Sequence, residues 1–197
     1  MPGDKGRATR ARMVQTAGVL FRRQGYDGTG VQELLDRSGT PRGSFYFHFP
    51  GGKQELAVAA VADSAMGIAK GIELMLEAHE DPGQAVGAVV DLIAADLERS
   101  DFRGGCPVAA VTHDTAARSD EVRAACRTAF DHWQGLLEAR LRRAGWSVAG
   151  ARQEALVILA AIEGGITLGR AARDTEALAA VARRCRSTLG PAAPAVG

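Results

Sequence analysis

The segment from Thr29 to Leu56 constrains the fold of this chain more than any other part of its 197 residues. It contains a short amphipathic stretch, a glycine at position 39, a second short run rich in aromatic and polar side chains, and a break at Pro50. Two short helical patterns separated by a glycine turn are typical of a helix-turn-helix. The second run is too aromatic for an ordinary solvent-facing surface and too polar for a core. We therefore predict that it is exposed and binds a partner.

The rest of the chain has the periodicity of helices. Apolar residues recur at three- and four-residue spacing, and the alternation typical of strands is absent, which predicts an all-α fold. The first helix should bury Met13, Val14, Ala17, Leu20 and Phe21 and end at Gly25, a natural C-terminal cap. The helices are predicted from about residue 9 to 24 and over residues 30–37, 41–47, 53–78, 84–99, 106–113, 119–144, 149–172 and 175–189.

Charge is distributed unevenly, although the formal net charge is only +1. Residues 1–56 contain nine lysines and arginines against five acidic residues, a net of +4, and residues 57–197 contain fifteen against eighteen, a net of −3. This asymmetry predicts a polyanionic partner for the N-terminal part. We expect residues 1–7 to form a flexible basic arm, so that Lys5, Arg7 and Arg10 add contacts to phosphates or to a minor groove.

Patterns for catalysis, metal binding and membrane insertion are absent from the sequence. The four histidines are scattered and form no metal or catalytic motif, so we expect no metal, no cofactor and no enzyme activity. Cys106, Cys126 and Cys185 are odd in number and far apart, which favours unpaired thiols in a reducing cytoplasm over a redox sensor. With no apolar leader segment and no charge-free stretch of 18 residues, we expect a cytoplasmic protein without a membrane partner.

An ordered set of positions surrounds the helix-turn-helix: Arg12, Ala17, Leu20, Phe21, Gly25, Tyr26, Thr29, Val31, Gly39, Gly43, Ser44, Phe45, Tyr46, His48, Phe49, Lys53 and Leu56. This set resembles the pattern of the TetR family of bacterial transcriptional regulators. Two further features resemble its LmrA/YxaF-like branch: the spacing from His48 to Lys53 is one residue longer than usual, and Gly105 to Val108 read Gly-Cys-Pro-Val.

The resemblance implies a domain organisation and a set of partners. Residues 1–52 would form a three-helix helix-turn-helix DNA-binding domain, residues 53–190 a helical ligand-binding and dimerisation domain, and residues 191–197 a disordered tail. The last two helices, rich in small residues, would pair with their copies in a homodimer. Such a dimer would bind a palindromic double-stranded DNA operator, usually as a repressor, and release it when a small-molecule effector binds.

In this family the helix at residues 41–47 would be the recognition helix that enters the major groove. Arg42 could bind guanine through two hydrogen bonds or contact a phosphate, and both alternatives stay open. Phe45 and Phe49 are expected in the core, whereas Phe47 would touch a thymine methyl group or a sugar. The predicted DNA contacts are Thr29, Thr40, Arg42, Gly43, Ser44, Tyr46, His48 and Lys53.

The resemblance also implies an effector pocket among the central helices, for a flat and mostly apolar molecule. Methionine and aromatic side chains at helical spacing are more often plain core than ligand contacts, so each assignment competes with a purely structural role. Glu163 either bonds across the dimer, which is favoured, or faces the ligand. The candidate pocket residues are Met66, Met75, Phe102, Val108, Val111, Thr112, His113, Phe130, Trp133, Ile162 and Glu163.

Two other functions compete with a DNA-binding regulator. The first is a helical small-molecule carrier or sensor without DNA binding, which would bind its ligand but show no salt-dependent DNA affinity. The second is an all-helical enzyme that uses His113 and Glu163, and its turnover would be abolished by His113→Ala. The convergence of several phosphate donors in one helix-turn-helix favours the regulator.

Overall fold

The computed structural model describes residues 4–190; residues 1–3 and the predicted tail at 191–197 lie outside the described part. The described chain is all-α, as predicted, with no strand between residues 4 and 190. Its nine helices are α1 (Asp4–Gln24), α2 (Val31–Ser38), α3 (Arg42–His48), α4 (Gly52–Glu77), α5 (Pro82–Arg99), α6 (Pro107–Thr115), α7 (Asp120–Arg143), α8 (Val148–Ala172) and α9 (Glu176–Thr188).

The chain divides into two compact units. Unit 1 contains the chain up to Gly67 together with Cys106–Ala129, and unit 2 contains Ile68–Gly105 and the chain from Phe130 onward. The boundaries fall inside α4 and α7, so each of these helices contributes to both units. This division differs from the predicted domain boundary at residue 52, because α6 and the first part of α7 belong to the same unit as the helix-turn-helix. The functional boundary at residue 52 stays a prediction.

Unit 1 is organised around α1, which contacts both α2 and α6. The five apolar residues predicted for its inner face, Met13, Val14, Ala17, Leu20 and Phe21, are all buried. The helix ends at Gly25, whose φ of +75° is a left-handed conformation that glycine adopts without strain. Tyr26 then folds back so that its ring lies 5.7 Å from that of Phe21. The chain thereby leaves α1 in the direction of α2.

Unit 2 is built on contacts of α5 and α8 with α9. Asp81 caps α5 by accepting a hydrogen bond from the Gln84 amide at 2.8 Å, and Pro82 occupies the first helical position, where no amide donor is needed. Ser147 caps α8 in the same way, through the Gly150 amide at 3.1 Å. These caps explain why both helices begin where they do.

Two sequence expectations about helix ends are wrong. Helix α1 begins at Asp4, so Lys5 and Arg7 are helical and do not belong to a flexible arm. Arg7 forms an ion pair with Asp4 one turn earlier, which supports this first turn. Pro41 lies at the N-cap of α3 and not at its first helical position, because its ψ of 144° is extended.

Helix α8 is unusual in its composition. Within residues 4–190 it alone is long and apolar enough to cross a membrane by length and composition. A core or interface helix of a soluble protein meets the same criterion, and α8 has one face buried against α9 while Leu156, Val157 and Leu168 are exposed. Its apolar character therefore serves two faces of the helix, of which only one is covered within the chain.

Candidate nucleic-acid interface

The turn between α2 and α3 has the geometry of a helix-turn-helix. Gly39 has a φ of +60°, and its amide and that of Thr40 donate to carbonyls in the last turn of α2. Helix α3 then starts after the extended Pro41, whose carbonyl accepts a hydrogen bond from the Ser44 amide at 2.9 Å. The left-handed glycine closes α2 and the proline directs the chain into α3.

Helix α3 is anchored by its aromatic residues on one side. Phe45 and Phe49 are fully buried, with ring centroids 5.8 Å apart, as the sequence predicted for both. The rings of Phe45 and Tyr46 are nearly perpendicular, with an interplanar angle of 81° and a centroid distance of 5.0 Å. Because two large side chains hold this short helix to the core, its other side is presented in a defined orientation.

The opposite side of α3 is exposed. Gly43, Tyr46 and Phe47 share one face at three- and four-residue spacing, and Tyr46 and Phe47 are 51% and 73% exposed. Arg42 is exposed at the helix start, and Ser44 and His48 are half-buried. The ring of His48 packs edge to face against Phe47 at 5.0 Å. The face thus presents guanidinium, hydroxyl, imidazole and phenyl groups together.

Lys53 lies in the first turn of α4, as expected, but its ammonium has a partner that the sequence did not suggest. The Nζ atom lies 4.1 Å from the centroid of the Tyr26 ring, a cation–π contact. Burial lowers the pKa of Lys53, while the carboxylates of Asp27 and Asp114 act in the opposite direction. Burial also raises the pKa of Tyr26, so its phenol stays neutral at physiological pH. Tyr26 therefore positions this lysine beside the helix-turn-helix.

A polar cluster joins the turn after α1 to α6, and it was missed by sequence reasoning. The Asp27 amide donates to Asp114 at 3.0 Å, and Arg118 donates to Asp27 at 2.6 Å and to the carbonyl of Asp114. Gln54 donates to Ser119 at 2.6 Å. The contacts of Asp27 with Asp114 and Arg118 join residues 87 and 91 positions apart, and that of Gln54 with Ser119 joins residues 65 positions apart, so no local pattern could have revealed them. The cluster fixes the turn that contains Tyr26.

The structure contradicts the predicted roles of two threonines. Thr29 is 1% exposed and its hydroxyl donates to the Gly25 carbonyl at 2.7 Å, while Gly30 occupies the N-cap of α2. Thr40 is 5% exposed and its hydroxyl donates to the Ser38 carbonyl. Both hydroxyls bond backbone carbonyls that the glycine-containing turns leave free, so neither can reach a phosphate.

The basic residues predicted as an arm also differ from expectation. The guanidinium of Arg10 lies 5.0 Å from the centroid of the Phe49 ring, a cation–π contact on the outside of the aromatic anchor. Lys5 is exposed on the first turn of α1. These residues are part of α1, so any contact that they make with DNA would come from a helix and not from a flexible arm.

The candidate pocket residues in unit 1 fall into two groups. Val108 and Val111 are fully buried on α6, and the half-buried Thr112 donates to the Val108 carbonyl at 2.8 Å. In contrast, Met66 is 62% exposed and His113 is also exposed. A side chain with that exposure does not line an enclosed pocket, so the predictions for Met66 and His113 are wrong. Met66 lies on the solvent-exposed face of α4, and His113 lies on that of α6.

The candidate pocket residues in unit 2 are buried or half-buried. Trp133 and Ile162 are 2% and 4% exposed, and Phe130 packs edge to face on Trp133 at 5.6 Å. Met75, Phe102 and Glu163 are half-buried. Phe102 has a φ of +56°, which a phenylalanine rarely adopts, and the Arg173 guanidinium lies 5.9 Å from its ring. Their burial fits either a core or a ligand, and the ligand role stays a prediction.

The small residues of α8 serve two different purposes. A Cβ on Gly165 would lie 2.7 Å from the Leu178 side chain, and one on Gly169 would lie 2.7 Å from the Asp174 carbonyl, so both glycines allow close packing within the chain. By contrast, Gly164 is exposed, and nothing lies within 4 Å of its Cβ position. An uncovered apolar stripe remains on α8, formed by Leu156, Val157, Ala160, Gly164 and Leu168.

Cysteines and acidic residues do not gather into a site in the described part of the chain. No group of three or more potential metal ligands occurs among residues 4–190. The thiols of Cys106, Cys126 and Cys185 are buried. Burial raises the pKa of Cys126 and raises that of Cys185 to about 11, which disfavours the reactive thiolate at both.

Comparisons with known proteins agree with this geometry. A family model described as bacterial regulatory proteins of the tetR family matches residues 14–60, which include α2, the turn and α3. A second, described as the C-terminal domain of LmrA/YxaF-like transcriptional regulators, matches residues 82–184. The HTH-type transcriptional regulator LmrA of Bacillus subtilis is 35% identical over 170 residues, which cover 86% of this chain and 90% of LmrA.

Solved structures show the same fold. Reduced NemR from Escherichia coli superposes with a TM-score of 0.84 at 21% identity, covering 94% of this chain and 99% of NemR. The CifR regulator, in a cysteine mutant complexed with 26-base-pair double-stranded operator DNA, superposes with a TM-score of 0.76 at 20% identity, covering 90% and 95%. The chain therefore belongs to the TetR family of DNA-binding transcriptional regulators, in its LmrA/YxaF-like branch.

Proposed function

We propose that this chain is a homodimeric repressor that binds a palindromic operator through α3 and releases it when a small, largely apolar effector binds. The observation that carries the proposal is the exposed face of α3, where Arg42, Tyr46 and Phe47 project from a helix anchored by two buried phenylalanines. A short helix with that surface fits the major groove, whose width admits one α-helix.

The proposed contacts divide into base-reading and phosphate-binding groups. Arg42, Gly43 and Ser44 lie at the N-terminal end of α3, the end that enters the groove in helix-turn-helix proteins. Tyr46, His48 and Lys53 supply a hydroxyl, an imidazole and an ammonium for phosphates on the groove edge. Thr29 and Thr40 are excluded from this proposal because both side chains are buried.

Dimerisation is proposed through α8 and α9. Leu156, Ala160, Gly164 and Leu168 follow one another at four-residue spacing on the uncovered face of α8, so they form one continuous apolar stripe. A second copy of the same stripe is a self-complementary partner for it, as twofold symmetry requires. The dimer would place two recognition helices about 34–36 Å apart, one turn of DNA.

Release would follow from an effector that prefers a conformation with a different spacing of the two recognition helices. Helix α4 is suited to transmit such a change, because it begins beside α3 and extends from unit 1 into unit 2. The half-buried and buried candidates Phe102, Phe130, Trp133 and Ile162 favour an apolar effector. The site of action proposed for such a regulator is the cytoplasm, where its DNA is located.

The test is a binding experiment on DNA fragments selected from a genomic pool by the purified protein. Lys53→Ala should weaken operator binding and lower the slope of log affinity against log salt by about one, since one phosphate contact is lost. Tyr46→Phe should weaken binding by about ten-fold through loss of a hydrogen bond to a charged phosphate. The matched control is Lys70→Ala, an exposed lysine farther along the same helix.

The control should bind as the unaltered protein does. If Lys53→Ala, Tyr46→Phe and the control all bound the operator with equal affinity, α3 and Lys53 would not form the DNA interface. A protein that binds small apolar molecules but shows no salt-dependent affinity for any DNA would instead be the alternative function, a helical small-molecule sensor.

A further inference from the structure

Phe47 is the most exposed large hydrophobic side chain in the described part of the molecule, at 73%. Leaving a phenylalanine in water sacrifices the favourable free energy of burying its ring. The neighbouring Phe45 and Phe49 are fully buried, so the same helix contains aromatic residues with opposite environments. The exposure of Phe47 therefore calls for an explanation beyond the packing of α3.

The helical repeat explains why Phe47 cannot join the core. Two residues after Phe45, a side chain is rotated by about 200° and points away from the buried face. One turn earlier on the exposed face is Gly43, and nothing lies within 4 Å of its Cβ position. Gly43 and Phe47 thus form a shallow apolar shelf, with bare backbone at one end and a phenyl ring at the other.

We propose that Phe47 is a specificity-determining residue that recognises the C5-methyl group of a thymine in each operator half-site. This inference depends on the proposed function, in which α3 enters the major groove. The thymine methyl is the apolar group on the major-groove edge of the base pairs, and the other groups there are hydrogen-bond donors and acceptors. A phenyl ring offers no hydrogen bond to those groups but packs favourably on a methyl.

The shelf geometry supports a base contact over a sugar contact. Because Gly43 lacks a side chain, the backbone of α3 can approach the base edges closely, and Phe47 lies one turn farther along the same face. The edge-to-face packing of Phe47 on His48 at 5.0 Å restrains its ring before DNA binds. A restrained ring loses less conformational entropy on binding than a free one.

The experiment uses the full-length protein and operator duplexes in which each thymine is replaced in turn by deoxyuridine, which removes only the methyl group. One symmetry-related pair of positions should weaken binding by about three- to five-fold for each methyl lost, the value of one buried methyl group. Phe47→Ala should bind the thymine duplex more weakly and lose its response to deoxyuridine at those positions, so the two changes are not additive.

Tyr46→Phe is the matched control on the same face of α3. It should weaken binding overall but keep the full deoxyuridine response, since it retains the ring and removes only a hydroxyl. Circular dichroism of Phe47→Ala should match the unaltered protein, because an exposed side chain makes few contacts in the fold.

The outcomes separate this inference from the proposed function. Operator binding without any methyl-sensitive position, or an equal deoxyuridine effect in Phe47→Ala and the unaltered protein, overturns the role of Phe47 and leaves the repressor intact. Absence of salt-dependent DNA binding in the unaltered protein overturns both.

Discussion

The exposed faces of α3 and α8 both depart from the rule that helices present polar residues to water, but they do so with opposite chemistry. On α3, rings are mixed with charged and hydrogen-bonding groups, as in Arg42, Tyr46 and Phe47. On α8, the exposed stripe is aliphatic, with Leu156 and Leu168 at 55% and 62% exposure. The first face suits an anionic groove and the second suits another apolar helix.

The difference also extends to how each face is supported. Helix α3 has only seven residues, so its orientation depends on the two buried phenylalanines and on the turn at Gly39. Helix α8 has 25 residues and contacts both α5 and α9, with close approaches of Gly165 to Leu178 and of Gly169 to Asp174. A short helix presents a local binding surface, whereas a long one presents an extended stripe that a second copy can match.

The largest expected effect concerns the anchor of α3. Phe45→Ala should lower the free energy of unfolding by roughly 3–5 kcal/mol, because it leaves a cavity in a fully buried site. Phe47→Ala should change it by no more than about 0.5 kcal/mol, as for other exposed positions. Urea denaturation followed by circular dichroism measures both. If the two substitutions lowered the free energy of unfolding by similar amounts, α3 would not have one buried and one exposed face.

The next effect concerns the stripe on α8. Leu168→Glu places a charge in the proposed interface, so the dimer should dissociate and operator affinity should fall by about 100-fold or more as the two half-sites are no longer bound together. Analytical ultracentrifugation reports the oligomeric state. Leu74→Glu is the matched control, since Leu74 on α4 is 63% exposed against 62% for Leu168. If Leu168→Glu still sedimented as a dimer, the exposed stripe of α8 would not be the dimer interface.

The smallest effect concerns the buried side of unit 2, where α9 carries Cys185. Burial raises the pKa of this thiol from 9.0 to about 11, so the folded state retains the proton that the unfolded state loses. The corresponding stability is complete below pH 9 and is lost as the pH rises towards 11, by roughly 2 kcal/mol. The free energies of unfolding of the unaltered protein and of Cys185→Ala, measured at a series of pH values, should therefore converge over this range. If the two free energies instead differed by a constant amount from pH 9 to pH 11, the pKa of Cys185 would not be raised by folding.

Local patterns predicted most of the helices and the anchor of the helix-turn-helix. The glycine turn at position 39 and the burial of Phe45 and Phe49 follow from residues within one or two helical turns of one another. The start of α1 was predicted five residues too late, because the first turn is supported by an ion pair between Asp4 and Arg7 that was read as part of a charged arm.

Side-chain environments at the interface were predicted less well. Thr29 and Thr40 have the composition of phosphate ligands, yet their hydroxyls satisfy backbone carbonyls at the two turns. The position of Lys53 over the ring of Tyr26 joins the first turn of α4 to the turn after α1, and its surroundings include Asp114 from α6. Such contacts depend on which distant segments meet.

The sequence by itself determined the all-α class, the helix-turn-helix and the family, because these depend on periodicity, turn residues and a motif contained in the contiguous stretch of residues 12–56. Only the tertiary structure decided which glycines of α8 pack inside the chain and which are uncovered, and which polar side chains remain free to bind. The physical reason is that burial and hydrogen-bond satisfaction are properties of the neighbours that folding brings together, and those neighbours are often far apart along the chain.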